Sequence, residues 1–207
     1  MPRINARTMA EMIALPAHAQ LGVLERQKYP KEGASQFMRP YYAPAMDAIR
    51  KSYRSSNPIA EIEAAITAAQ SLGSKSRRVN LDRALHAFAE TDQVDRKLQV
   101  HKKSKAEAAL GSVELRASPD IEAFDGKREV VIYYNFKILP YDSEAAKRVM
   151  EIACWLYAES GLAMSPAQFE LIDLASGILY RGKSVRQATI KQMQKTATVI
   201  ESIWDSI

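Results

Sequence analysis

From Val113 to Ala123 the chain alternates. Val113, Leu115, Ala117, Ile121 and Ala123 are apolar, and Glu114, Arg116, Ser118, Asp120 and Glu122 stand between them. A period of two puts each set on its own face, so the stretch predicts a half-buried β-strand. Asp125-Gly126 follows. Glycine adopts positive φ without steric cost, so this dipeptide predicts a tight turn into a second, more apolar strand from Glu129 to Ile138. With the turn centred on Asp125 and Gly126, Phe124 faces Lys127. Glu114, Asp120 and Glu122 then share a face with Tyr133, Asn135 and Lys137.

Upstream the apolar spacing becomes helical. Residues 7 to 28 carry Met12, Leu15, Leu21 and Leu24, with an interruption at Pro16. Tyr29 to Pro44 contains Pro30, Gly33, Pro40 and Pro44 and predicts a surface loop. Asn57-Pro58 sets a cap residue before a proline at the first helical position, and Gly73 closes the helix that follows. Asn80 is expected to cap another helix, from Leu81 to about Leu98. Beyond the hairpin, Pro140 ends the strand and Ser143 opens a helix that stops at Gly161. Residues 168 to 174 and 178 to 183 predict a second strand pair. Ser184 to Gln187 reads as a capping box opening an amphipathic helix with Ile190, Met193, Ala197, Ile200, Ile203 and Ile207 on one side. Trp204 either completes the core or meets a partner protein. The order predicts an α+β domain over 101–207, with a helical region over 1–100 packed on it.

The 207 residues, 47% of them hydrophobic, suffice for one substantial core. No apolar run approaches the ~18 residues of a membrane span, and the first residues lack the apolar centre of a secretory signal, so a cytoplasmic protein without a membrane partner is expected. The single cysteine, Cys154, excludes an internal disulfide and a cysteine-only metal site. A net charge of +5 favours anionic partners. Its distribution says more. Lys75, Arg77 and Arg78 lie in a basic stretch that reads as a solvated linker or as a nucleic-acid contact, and its spacing is not that of a phosphate-binding loop. Lys102, Lys103 and Lys105 follow His101 and lead straight into the hairpin, where they would attract a phosphate backbone. Arg39, Tyr41 and Tyr42, and again Lys51, Tyr53 and Arg54, combine cations with tyrosines that either stack on bases or pack against the domain.

Ser118-Pro119-Asp120, the glycine turn, an apolar strand ending Asn135-Phe136-Lys137 and the helix after it resemble the PD-(D/E)XK nuclease superfamily, in particular its RecB-like branch. The likeness spans roughly residues 80 to 183. It implies a restriction-endonuclease-like core, a mixed β-sheet with a central antiparallel hairpin flanked by helices. It also implies phosphodiester hydrolysis with Mg²⁺ or Mn²⁺ on nucleic acid, DNA before RNA, in prokaryotic or phage DNA processing. Asp120 would bind the metal and Lys137 would position the attacking water. Glu151 stands where the branch often has glutamine, Trp155 where it has tyrosine, and His86 matches a helical histidine that serves as an auxiliary metal ligand. Asn135 departs from the acidic residue of the pattern. Its amide oxygen can touch a metal but brings no charge to hold one, so Glu151, His86 or Glu114 would have to compensate. Two functions follow: a weakened metal-dependent nuclease, or a non-catalytic protein of the same fold that binds nucleic acid or a protein.

Overall fold

Asn5 accepts a hydrogen bond from the Thr8 N–H at 2.9 Å and so starts a helix directly after a three-residue strand. In the computed structural model, which describes residues 1–29 and 41–207, the chain runs β1 (Arg3–Asn5), α1 (Ala6–Ala14), α2 (Ala17–Lys28), α3 (Ala43–Ser52), α4 (Pro58–Gln70), α5 (Lys75–Ala89), β2 (Leu98–Val100), β3 (Glu107–Leu110), β4 (Val113–Arg116), β5 (Ile121–Asp125), β6 (Arg128–Asn135), α6 (Ser143–Glu159), β7 (Phe169–Asp173), β8 (Ile178–Arg181) and α7 (Gln187–Trp204). Arg39 lies outside the described residues.

Pro16 separates α1 from α2, as its missing N–H requires. Asn57 caps α4 by accepting from the Ala60 N–H at 3.3 Å. Three other helix starts differ from the sequence expectation. Ser74, not Asn80, caps α5, accepting from the Arg77 N–H at 3.3 Å, while Asn80 sits inside the helix and donates to the Ser76 carbonyl. Lys75, Arg77 and Arg78 are therefore helical, and Leu98 belongs to β2. Asp142, not Ser143, caps α6, accepting from the Ala145 N–H at 2.8 Å. Arg186 occupies the cap position of α7, so Ser184 to Gln187 forms no capping box.

Two sheets result. The smaller has the order β1-β4-β3, with β1 parallel to β4, and the larger has the order β2-β5-β6-β7-β8. In the larger sheet β6 and β7 are parallel, joined by α6, and the other neighbours are antiparallel. The strand expected from 113 to 123 is thus divided between sheets, β4 in one and β5 in the other. The break falls where local chemistry opposes a ladder: Ser118 has φ +50°, and Pro119 has no N–H to donate. Glu114 accordingly leaves the expected set and pairs with Arg3 and Arg116.

The β5–β6 hairpin forms, but its loop is Gly126-Lys127, and Phe124 faces Glu129 rather than Lys127. Gly126 takes φ +62° there. The displacement is even in number, so the faces are preserved and Glu122 stands opposite Val131. The strand stops at Asn135, short of the expected Ile138.

Alternation along the larger sheet divides the interior. Val131, Tyr133, Phe169 and Leu171 join Ile4, Met9, Met12, Val149, Ile152, Leu156 and Ile200 in a core built with α1, α6 and α7. Ile121, Ile132, Tyr134 and Ile172 join Ile49, Ile62, Leu81, Leu85 and Phe88 in a second core built with α3, α4 and α5. Residues 1–100 therefore supply strands to both sheets as well as helices to both faces. Glu170, fully buried, is held by Arg96, Arg128 and Arg181 at 2.6, 3.0 and 3.2 Å. Among the described residues no helix is long and apolar enough to cross a membrane.

Candidate nucleic-acid interface

The link between the two sheets, Ala117 to Asp120, is where cations collect. Asp120 immediately precedes β5, and its N–H donates to the Ile132 carbonyl at 2.9 Å. Its Oδ2 accepts from the Tyr134 N–H at 2.7 Å and from the Arg7 guanidinium of α1. Arg50 of α3 donates to the Asp120 carbonyl at 2.8 Å, and Lys103, on the segment between β2 and β3, donates to the Pro119 carbonyl at 2.6 Å. Three cations from three distant segments thus meet on one dipeptide. The two carbonyls orient Arg50 and Lys103, Arg50 also pairs with Asp47 at 3.2 Å, and Asp120 supplies the carboxylate for Arg7.

Burial opposes the charge of Arg7, but the attraction and hydrogen bond of Asp120 outweigh it and hold the guanidinium protonated more firmly than usual. Lys103 goes the other way: burial, then the like charge of Arg50, lowers its pKa. A divalent ion approaching Asp120 would meet these fixed positive charges and a carboxylate already paired.

Arg7, Tyr41, Tyr42, Met46, Arg50 and Phe136 line a cavity of about 350 Å³ beside Asp120. Tyr42 stacks on Phe136 with ring centroids 5.2 Å apart. Tyr53, by contrast, is a core residue whose hydroxyl shares a hydrogen bond with that of Tyr134. Lys102 and Lys105 are exposed. On α5, Lys75 is exposed, the Arg77 guanidinium lies 5.8 Å from the Tyr41 ring centroid, and Arg78 donates to the Leu72 carbonyl at 2.8 Å.

The remaining expected catalytic residues have separate local roles. The Asn135 carboxamide donates to the Leu139 carbonyl at 2.9 Å and to Asp173 at 2.8 Å, and its oxygen accepts from the Lys137 N–H at 3.0 Å. Asp173 accepts further hydrogen bonds from the N–H groups of Tyr141 and Ala175 and from the Ser176 hydroxyl. Lys137 lies in a bend beyond β6 with its side chain exposed. Glu151, buried on α6, accepts from Arg186 at 2.6 and 3.2 Å and from Thr189, which ties α6 to α7. Trp155 packs half-buried against the same core. His86 faces solvent on α5, 3.7 Å from Asp82. Among the described residues, no hydrogen bond or ion pair joins the side chains of Asp120, Asn135, Lys137, Glu151 and His86 to one another.

A different constellation could hold a metal: His101, Glu122 and Glu129, whose ligand atoms lie within 4.8 Å of one another. Glu122 is fully buried and accepts from the Ser104 N–H, the Ser104 hydroxyl and the Tyr157 hydroxyl. Sequence reasoning passed over this set and over Arg7, Arg50 and Asp173. The available signal was Glu122 itself, a carboxylate whose register places it on the face of Val131 and Tyr133.

No family model, curated protein or solved structure matches the chain.

Proposed function

We propose that the protein binds nucleic acid, DNA first, through the cationic surface at Pro119-Asp120 and the lysines after His101, and that it does so without metal-dependent cleavage at Asp120. The observation that carries this reading is the Arg7–Asp120 ion pair. The residue that a PD-(D/E)XK-like mechanism requires as a metal ligand is already neutralised, and Arg7, Arg50 and Lys103 surround it with positive charge. Such a surface suits a phosphate backbone, which releases counterions on contact whatever the base sequence. Tyr41 and Tyr42, beside the same cations, offer rings for unstacked bases. The α+β architecture with β6 and β7 parallel about α6 is compatible with a nuclease-like ancestry whose chemistry has lapsed.

The test is titration of labelled single- and double-stranded oligonucleotides at two salt concentrations, each with and without Mg²⁺. Three phosphate contacts predict an affinity drop of roughly 40-fold between 50 and 200 mM salt. Lys102→Glu with Lys105→Glu should weaken binding for every sequence. Absence of binding at low salt would refute the reading. Mg²⁺-dependent cleavage lost on both Asp120→Ala and Lys137→Ala would replace it with the nuclease.

A further inference from the structure

We infer that His101, Glu122 and Glu129 form a binding site for a divalent transition-metal ion, of the class of Mn²⁺ or Zn²⁺. The inference does not depend on the nucleic-acid reading. It begins with strand register. The His101 N–H donates to the Glu122 carbonyl at 3.0 Å and extends the β2–β5 ladder by one position, so His101 and Glu122 are cross-strand neighbours on one face. Phe124 faces Glu129 and Glu122 faces Val131, so Glu129 is the diagonal neighbour of Glu122 on that face. Three adjacent strands thereby deliver one imidazole and two carboxylates to a single point.

The imidazole is oriented for ligation. Its Nδ1 lies 3.0 Å from the Lys102 carbonyl, and a carbonyl can only accept, so Nδ1 carries a hydrogen. In the neutral ring Nε2 then presents a lone pair. That nitrogen is shielded from solvent, has no hydrogen-bond partner among the described residues, and lies 3.2 Å from Glu129 Oε1, itself an electron-pair donor. With the ring neutral, two lone pairs face each other at this distance, and a proton or a metal cation between them relieves the repulsion. A backbone carbonyl holding the distal nitrogen is the arrangement that fixes metal-binding histidines.

Glu122 is prepared in the same sense. Its carboxyl group is fully buried and is held in place by Ser104 and by the Tyr157 hydroxyl from α6, so its oxygens are fixed in the interior. Bonds of about 2.1 Å limit ligand separations to about 4.2 Å, so a set already within 4.8 Å closes on an ion through a small movement. Glu129, half-buried, is free to make it. One nitrogen with two carboxylate oxygens favours borderline ions over Mg²⁺, which prefers oxygen ligands and retains its waters. Three protein ligands also leave a coordination position open.

The experiment is calorimetric titration of the full chain with Mn²⁺ and with Zn²⁺, together with Mn²⁺ paramagnetic broadening of the histidine ring resonances. One equivalent should bind, and broadening should select His101 over His18 and His86. Glu129→Gln, which preserves size, and His101→Ala should each weaken binding at least tenfold, while Asp120→Asn should leave it unchanged. Should either strand variant lose its fold, the broadening pattern of the unmodified protein decides alone. Absence of saturable binding would mean that a proton joins His101 to Glu129 and would overturn the site. So would binding unchanged by both substitutions, or broadening centred on another histidine.

Discussion

Asn135 donates to the buried Asp173 carboxylate at 2.8 Å, and the two residues face each other across the parallel β6–β7 pair. An aspartate at 135 could not make this bond. Asn135→Asp would place a second carboxylate against the first and would also lose the donor to the Leu139 carbonyl. We expect a loss of about 3 kcal/mol in urea unfolding, the scale for a broken buried polar pair. Asn135→Asp combined with Asp173→Asn should recover part of it by exchanging the roles. A single Asn135→Asp variant as stable as the parent would contradict this account of the residue.

Arg7 is the counter-charge of Asp120, and both are only partly exposed. Arg7→Gln should cost about 2 kcal/mol, between the values for surface and buried pairs. Asp120→Asn should cost less, because its amide oxygen can still accept from the Tyr134 N–H. Denaturant midpoints of the two variants measured side by side give the order, and the reverse order would show that Arg7 matters little to Asp120.

Ser118 carries its φ of +50° without glycine's freedom. Ser118→Val should lose about 2 kcal/mol, since β-branching penalises the left-handed region, whereas Ser118→Gly should be tolerated or slightly stabilising. Thermal unfolding of both variants checks the difference. Equal melting temperatures would mean that the link does not need this conformation.

Tyr53 and Tyr134 share a buried hydrogen bond, and burial pushes the Tyr53 hydroxyl up to about 12, with Tyr134 also raised well above its ordinary value. A phenol is neutral when protonated, so the folded state keeps its proton at a pH where the unfolded chain has released it. Stability is therefore intact below pH 10 and falls as pH rises from about 10 towards 12. Tyr53→Phe should flatten part of that decline. Unfolding midpoints measured across this window test it, and identical slopes for both proteins would count against the coupling.

The hairpin was readable because a period of two and an Asp125-Gly126 turn are local signals, and face assignment survived an error in register because parity did. The boundary between sheets was readable only as an irregularity at Pro119, which cannot donate to a ladder and predicts a bulge rather than a change of sheet. Val113 to Ala123 keeps its alternation across the break, and only the φ of Ser118 and the sheet change after Pro119 reveal that β4 and β5 have different partners. β1 was hidden for a related reason: three residues carry too little pattern, and its partner is far away in sequence. The basic runs were visible as charges, yet the meeting of Lys103 with Arg7 and Arg50 depends on tertiary packing. Asn135 looked like a damaged ligand in sequence, whereas its three hydrogen bonds give it a structural occupation.

The parallel pairing of β1 with β4 also has a consequence for synthesis on the ribosome. Arg3 and its partner Glu114 are separated by 111 residues. At roughly 5 to 20 residues per second, that span takes on the order of ten seconds to translate. β1 must therefore wait, with Ile4 uncovered, until β4 has left the exit tunnel. Nascent chains stalled before β4 should accordingly expose the β1 segment to chaperones, while chains stalled beyond it should withdraw that segment from them.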